Sequence, residues 1–139
     1  MRSLRTALVF STVLLAASAA AFAGAAAASE APAATSPQVP APGKVTGAEA
    51  RALAAAGARV VDVRTQEEFA SGHVPGALLI PYEQVGNRIA EIGPTTTPVI
   101  VYCRSGRRSA VAADALRKAG FTKVYDMQAV TAWPGELRK

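Results

Sequence analysis

The stretch Pro98-Val99-Ile100-Val101-Tyr102-Cys103-Arg104-Ser105-Gly106-Arg107-Arg108-Ser109-Ala110 decides how this chain folds. Val99 to Tyr102 is a short β-branched and aromatic run, the pattern of a buried strand. From Arg107 to Lys118, Val111, Ala112, Ala115 and Leu116 make an apolar stripe at helical spacing, and Gly120 follows as a stop. Between the two lies Cys103, the only cysteine of the 139 residues. A strand that hands over to a helix through a glycine-containing loop puts that cysteine at the carboxyl end of the strand, where open α/β sheets bind ligands. Loop amides turned toward the sulfur, and the positive end of the helix, favour thiolate over thiol.

Strand and helix patterns alternate on either side of this stretch. Thr46 and Glu49 have the spacing of a capping box, opening a helix through Leu53 to about Gly57. Arg59 to Val63 reads as a strand, and Thr65 with Glu68 opens a second, short helix that stops at Gly72. His73-Val74-Pro75-Gly76 is a turn, Ala77 to Ile80 a strand, and Val85, Ile89 and Ile92 predict a helix from about Tyr82 to Ile92, weakened by Gly86. After the central helix, Thr122 to Asp126 reads as the last strand. This order predicts an α/β fold, a parallel sheet with helices on both faces.

Residues 1–23 read as an export signal. Arg2 and Arg5 form a basic start, Ala7 to Ala17 an apolar run, and Ala21-Phe22-Ala23 an A-x-A cleavage site, with a cut near Ala28 as the alternative. The apolar run is short for a membrane span, and the segment holds no cysteine for a lipoprotein anchor, so no stable membrane anchor is expected after cleavage. Residues 24–42, rich in Ala, Pro, Ser and Thr, read as a disordered linker, leaving 43–139 as one small domain. Loss of Arg2 and Arg5 leaves 13 basic and 10 acidic residues, a net charge of +3, with the basic residues concentrated around Cys103. With few, scattered aromatics, this does not make a nucleic-acid surface. It suits a small anionic partner. An exported chain with one cysteine has no internal disulfide, which leaves a free reactive thiol, an intermolecular bond or a buried inert cysteine, and the strand-end position beside Arg104, Gly106, Arg107 and Arg108 favours the reactive thiol.

Val60-Val61-Asp62-Val63-Arg64, Glu67-Glu68-Phe69, Gly72-His73-Val74-Pro75-Gly76-Ala77, the Cys103 loop and Trp133-Pro134 occur in this order, and together they resemble a single-domain rhodanese, a thiosulfate sulfurtransferase-type protein. The resemblance implies a rhodanese-like α/β fold with a five-stranded parallel sheet. It also implies that a sulfane sulfur passes from a donor such as thiosulfate onto Cys103 and then to cyanide, a thiol or a protein thiol. By position, Cys103 is the nucleophile and persulfide carrier, and Arg104, Ser105, Gly106, Arg107 and Arg108 line the substrate loop. Their amides cradle the sulfur, and Arg108 closes the loop to face or brace it. Asp62 and Arg64 either support the pocket or form a purely structural ion pair beneath it. Arg104 and Arg107 either attract the anion or face water. Ser105 and Ser109 offer hydroxyls, Ser109 more naturally at the helix start. No cofactor and no metal is implied, and His73 belongs to a turn rather than to the nucleophile.

One departure stands out: Gln128 and Ala129 occupy positions where related sequences often carry paired glycines, which concerns the pocket rim and the choice of acceptor. Among rivals, Cys-dependent phosphatases and arsenate reductases of this fold place five residues between Cys and Arg, whereas four separate Cys103 from Arg108. A non-catalytic binding module and an envelope sulfur carrier are the other readings. The signal points to export, to the periplasm of a bacterium.

Overall fold

The computed structural model describes residues 38–139. The expected signal over 1–23 and most of the expected linker lie outside them. Five strands form one sheet: β1 (Gly43–Lys44), β2 (Arg59–Asp62), β3 (Leu78–Leu79), β4 (Val99–Cys103) and β5 (Val124–Ala129). Their spatial order is β1-β5-β4-β2-β3, and every neighbouring pair is parallel. β4 is therefore central, which is why its five residues are all buried.

Alternation along β4 divides the core in two. Val99, Val101 and Cys103 face one side, where they meet Ala112, Ala113 and Leu116 of α4 (Arg107–Lys118), together with Val85, Ile92 and Phe121. Ile100 and Tyr102 face the other side, against Ala50 and Leu53 of α1 (Gly47–Ala55) and Tyr125, Met127 and Val130. The expected layering holds, and the sulfur lies on the α4 side. Fully burying Leu116 alone contributes about 2 kcal/mol to that packing.

Both capping boxes form. Thr46 caps α1 with Glu49, and Thr65 caps α2 (Gln66–Ser71) with Glu68. Three expectations change. The helix expected from Tyr82 to Ile92 is a 3₁₀ segment, Tyr82–Asn87, followed by α3 (Ile89–Ile92). The break falls at Arg88, at φ −117°, just after Gly86 has weakened the propensity. Arg88 holds the corner through Gln84 and Glu91. The two-residue β1, pairing Gly43 and Lys44 with Tyr125 and Asp126, is too short to leave a pattern in sequence. Finally, β5 runs on to Ala129 instead of stopping at Asp126, through a bulge. Val101 pairs with Asp126 but Tyr102 pairs with Gln128, so Met127 is an extra residue on β5.

Candidate active site

The loop that leaves β4 turns back over its own cysteine. Gly106, at φ +95°, is the N-cap of α4 and has the left-handed conformation that glycine adopts without a Cβ penalty. That turn aims its amide down at Cys103, with N to Sγ at 3.0 Å. Ser109, one turn into α4, is buried. Its hydroxyl donates to the Gly106 carbonyl at 3.0 Å, and the sulfur lies 3.8 Å from its Oγ.

Burial pushes the Cys103 thiol up, because a desolvated thiolate is costly. The backbone amides of Ser109, Ser105 and Gly106, joined by the Ser109 hydroxyl, more than reverse this and hold the thiol below its ordinary value. Of the amides from Arg104 to Arg108, the one that hydrogen-bonds the sulfur is that of Gly106. The sulfur itself is fully covered at the floor of the loop.

Arg104, Ser105 and Arg107 are exposed around the loop. Of the two expectations for Arg108, to face the sulfur or to brace its loop, the hydrogen bonds fit the second. Its two terminal nitrogens donate to Glu68 Oε2 and Oε1 at 2.6 and 2.8 Å, a fork that joins α4 to α2. Its positive charge still reaches Cys103 through space. The same Glu68 Oε2 accepts from the Thr65 amide, so one carboxylate serves both the capping box and the loop. The spacing of Thr65 and Glu68 signals the first role in sequence; nothing local signals the second, 40 residues away.

Asp62 and Arg64 form a buried ion pair. Arg64 Nε and Nη2 donate to the two Asp62 oxygens at 2.6–3.1 Å, and Nη2 also donates to the Gly72 carbonyl at 2.7 Å. The guanidinium lies 5.5 Å from the centre of the Tyr102 ring, whose oxygen accepts from the Val74 amide at 3.0 Å. Burial, then the Asp62 carboxylate, push the Tyr102 phenol up and keep it neutral. The pair therefore ties the turn at 72–74 to the end of the sheet. Neither member hydrogen-bonds the Cys103 sulfur. His73 stacks on Phe69 with ring centroids 3.7 Å apart, and its Nδ1 meets the Phe69 carbonyl at 3.0 Å, so the lone histidine is committed to the turn. Trp133 is half-buried and packs against the α1-side core.

On the β5 side Ala129 lies in register with Cys103 and Gln128 with Tyr102. Gln128 has φ +67° and is the one non-glycine residue with positive φ among the described residues.

Fold and site together define a class: a parallel α/β domain whose central strand ends on a buried thiol beneath a strand-to-helix loop. The model of the rhodanese-like domain matches residues 46–133, more than half of the chain, and the chain belongs to that family. A sulfurtransferase of Allochromatium vinosum is 39% identical over 75 residues, 53% of this chain and 69% of that protein. The thiosulfate sulfurtransferase PspE of Escherichia coli is 40% identical over 65 residues, 46% of this chain and 62% of the relative. YqhL of Bacillus subtilis is 40% identical over 82 residues, 58% of this chain, and the chain spans 64% of its length. Among solved structures, a rhodanese with anions from E. coli is 33% identical, with a TM-score of 0.56, over 58% of this chain and 96% of that one. The family and its sulfurtransferase relatives support a transferase.

Proposed function

We propose that this protein is a sulfurtransferase that carries sulfane sulfur on Cys103. The Cys103 thiolate attacks the outer sulfur of thiosulfate or a similar donor. A new S–S bond forms, the donor's S–S bond breaks, and sulfite leaves with the electron pair. A thiophile, such as cyanide or a thiol, then attacks the outer sulfur of the persulfide, and the thiolate is regenerated. No proton-abstracting base is needed once the thiolate exists. The observation that carries this reading is the Gly106 amide at 3.0 Å from a sulfur whose thiol is held down by three backbone amides. The four-residue interval from Cys103 to Arg108 favours sulfur over a tetrahedral phosphate, and the exposed Arg104 and Arg107 add local charge that attracts an anion.

A second reading keeps the chemistry and changes its purpose, making the protein a sulfur carrier that delivers to a protein thiol. It draws on a 36% identical relative over 78 residues, the putative sulfur carrier protein YrkF of B. subtilis, of which this chain spans 42%. Export across the inner membrane, read from residues 1–23, belongs to the same proposal. Its check is N-terminal sequencing of the protein recovered from a periplasmic fraction.

Intact-mass measurement after incubation with thiosulfate tests the central claim. The protein gains one sulfur atom, loses it on addition of cyanide, and Cys103→Ser does neither. A wild-type protein that takes up no sulfur, or a serine variant with undiminished thiocyanate production, refutes it. Rapid discharge to cyanide supports the free-standing enzyme, and slow discharge supports the carrier.

A further inference from the structure

The bulge in β5 places a long polar side chain against the cysteine loop. Met127 is extra in the pairing with β4, and the chain recovers register at Gln128 by entering the left-handed region, at φ +67°. A non-glycine residue there is a source of backbone strain, and such strain persists only where the surroundings impose it. The carboxylate of Asp126 does so in part: its Oδ1 accepts from the Gln128 amide at 2.8 Å, closing the turn. The consequence lies on the facing loop. The space in which a Cβ on Gly106 would sit is bordered by Gln128 Cβ at 3.2 Å, Cγ at 3.5 Å and Oε1 at 3.7 Å.

We propose that Gln128 is a positioning residue for Cys103, its side chain packing on the open face of Gly106 and holding that peptide with its N–H on the sulfur. Gly106, the residue whose amide reaches Sγ, is also the loop residue with the widest backbone freedom. A glycine at 128 leaves this face open. Gln128 fills it, and the bulge fixes where Gln128 stands. The inference rests on Cys103 as the reacting thiol of the proposed transfer. It adds a residue from a different strand to the set that controls it.

The readout is the pH profile of Cys103 alkylation by iodoacetamide, which reports the thiolate fraction. The charged groups around the sulfur are left in place. Arg108 acts from α4 with Glu68 of α2 paired to it, Asp62 and Arg64 pair with each other at the end of β2, Asp126 lies on β5, and Arg104 and Arg107 are exposed on the loop. Gln128→Gly removes the packing and moves the profile upward by about half a pH unit, about threefold less alkylation below the midpoint. Its melting temperature is unchanged or higher, because relief of the positive φ offsets the entropy of the added glycine. Gln128→Asn, which keeps Cβ and Cγ and tolerates the left-handed region, stays within about 0.2 pH units of the wild-type midpoint.

A Gln128→Gly profile that superimposes on wild type overturns the proposal, as does a shift in Gln128→Asn equal to that in Gln128→Gly. A melting temperature that falls by more than about 5 °C in Gln128→Gly also overturns it, since the residue is then a stabilising one. Sulfur uptake from thiosulfate is measured on the same wild-type sample. If uptake fails while the alkylation profiles separate as described, the transferase reading falls and the positioning role stands. If uptake succeeds and the profiles coincide, the reverse holds.

Discussion

Glu68→Gln breaks the ion pair that clamps the cysteine loop to α2. Glutamine preserves the capping box, because a carboxamide oxygen still accepts from the Thr65 amide. It offers Arg108 one oxygen where the carboxylate offers two and turns an amide NH2 toward the other guanidinium nitrogen, so the change removes the charge and one arm of the fork together. In the wild type the Arg108 guanidinium, hydrogen-bonded to Glu68, holds its carboxyl down at about 2, against an ordinary value of about 4.3. The undiluted gap is worth about 3 kcal/mol. Arg108 and Glu68 keep 21% and 23% of their side-chain surface exposed, so solvent screening reduces this to about 1–2 kcal/mol. The folded value lies below the unfolded one. The stabilisation is therefore complete above about pH 5 and is lost as the pH falls through the ordinary carboxylate range toward 2. In urea unfolding at pH 7, Glu68→Gln loses about 1 M in midpoint. The gap between the two proteins narrows at about pH 4 and closes near pH 2. Subtracting the variant from the wild type cancels the titration of every other carboxylate. A gap of the same size at pH 7 as at about pH 2.5, or a variant as stable as wild type at pH 7, refutes the argument that this ion pair anchors the loop.

Two further substitutions address the brace and the turn. Asp62→Asn leaves the Arg64 guanidinium, only 5% exposed, without its counter-charge, and costs about 3–5 kcal/mol in urea unfolding; a loss under about 1 kcal/mol shows that Gly72 and Tyr102 hold Arg64 alone. Gly106→Ala forces a Cβ to within 3.2 Å of Gln128 Cβ at φ +95°, which destabilises by about 1–2 kcal/mol and slows Cys103 alkylation at neutral pH; a variant as reactive as wild type refutes the role given to the Gly106 amide.

What is legible in the sequence and what is not divide along a physical line. Signals that arise within a few residues are readable: the β4 run into Cys103, the Thr46 and Thr65 capping boxes, and the apolar stripe of α4. These depend on local periodicity and short-range hydrogen bonds. Gly43–Lys44 escapes a reading of this kind because a two-residue strand has no period and owes its existence to the edge of β5. For Arg108, sequence order shows only that it ends the loop, which makes the sulfur its natural partner. Glu68 lies 40 residues earlier, and only the placing of α2 beside α4 makes the fork. Gln128 is visible as a departure from a glycine pattern, but its effect, a side chain laid on Gly106, emerges only with the bulge.

The choice of donors at the sulfur has a chemical consequence. The group that hydrogen-bonds Cys103 Sγ is the Gly106 amide, helped by the amides of Ser105 and Ser109, and none of these titrates in the range where a thiol does. The positive charge nearby is a guanidinium, permanently protonated and fixed by Glu68. His73, the residue that would make such a site switch with pH, is stacked on Phe69 and hydrogen-bonded to its carbonyl. The thiolate is thus held by dipoles that do not fade between acid and neutral pH, and the only proton that governs attack is the thiol's own. A single ionisation in the pH dependence of sulfur uptake follows from that arrangement. A second one would show that a titrating group, outside this set of donors, reaches the sulfur.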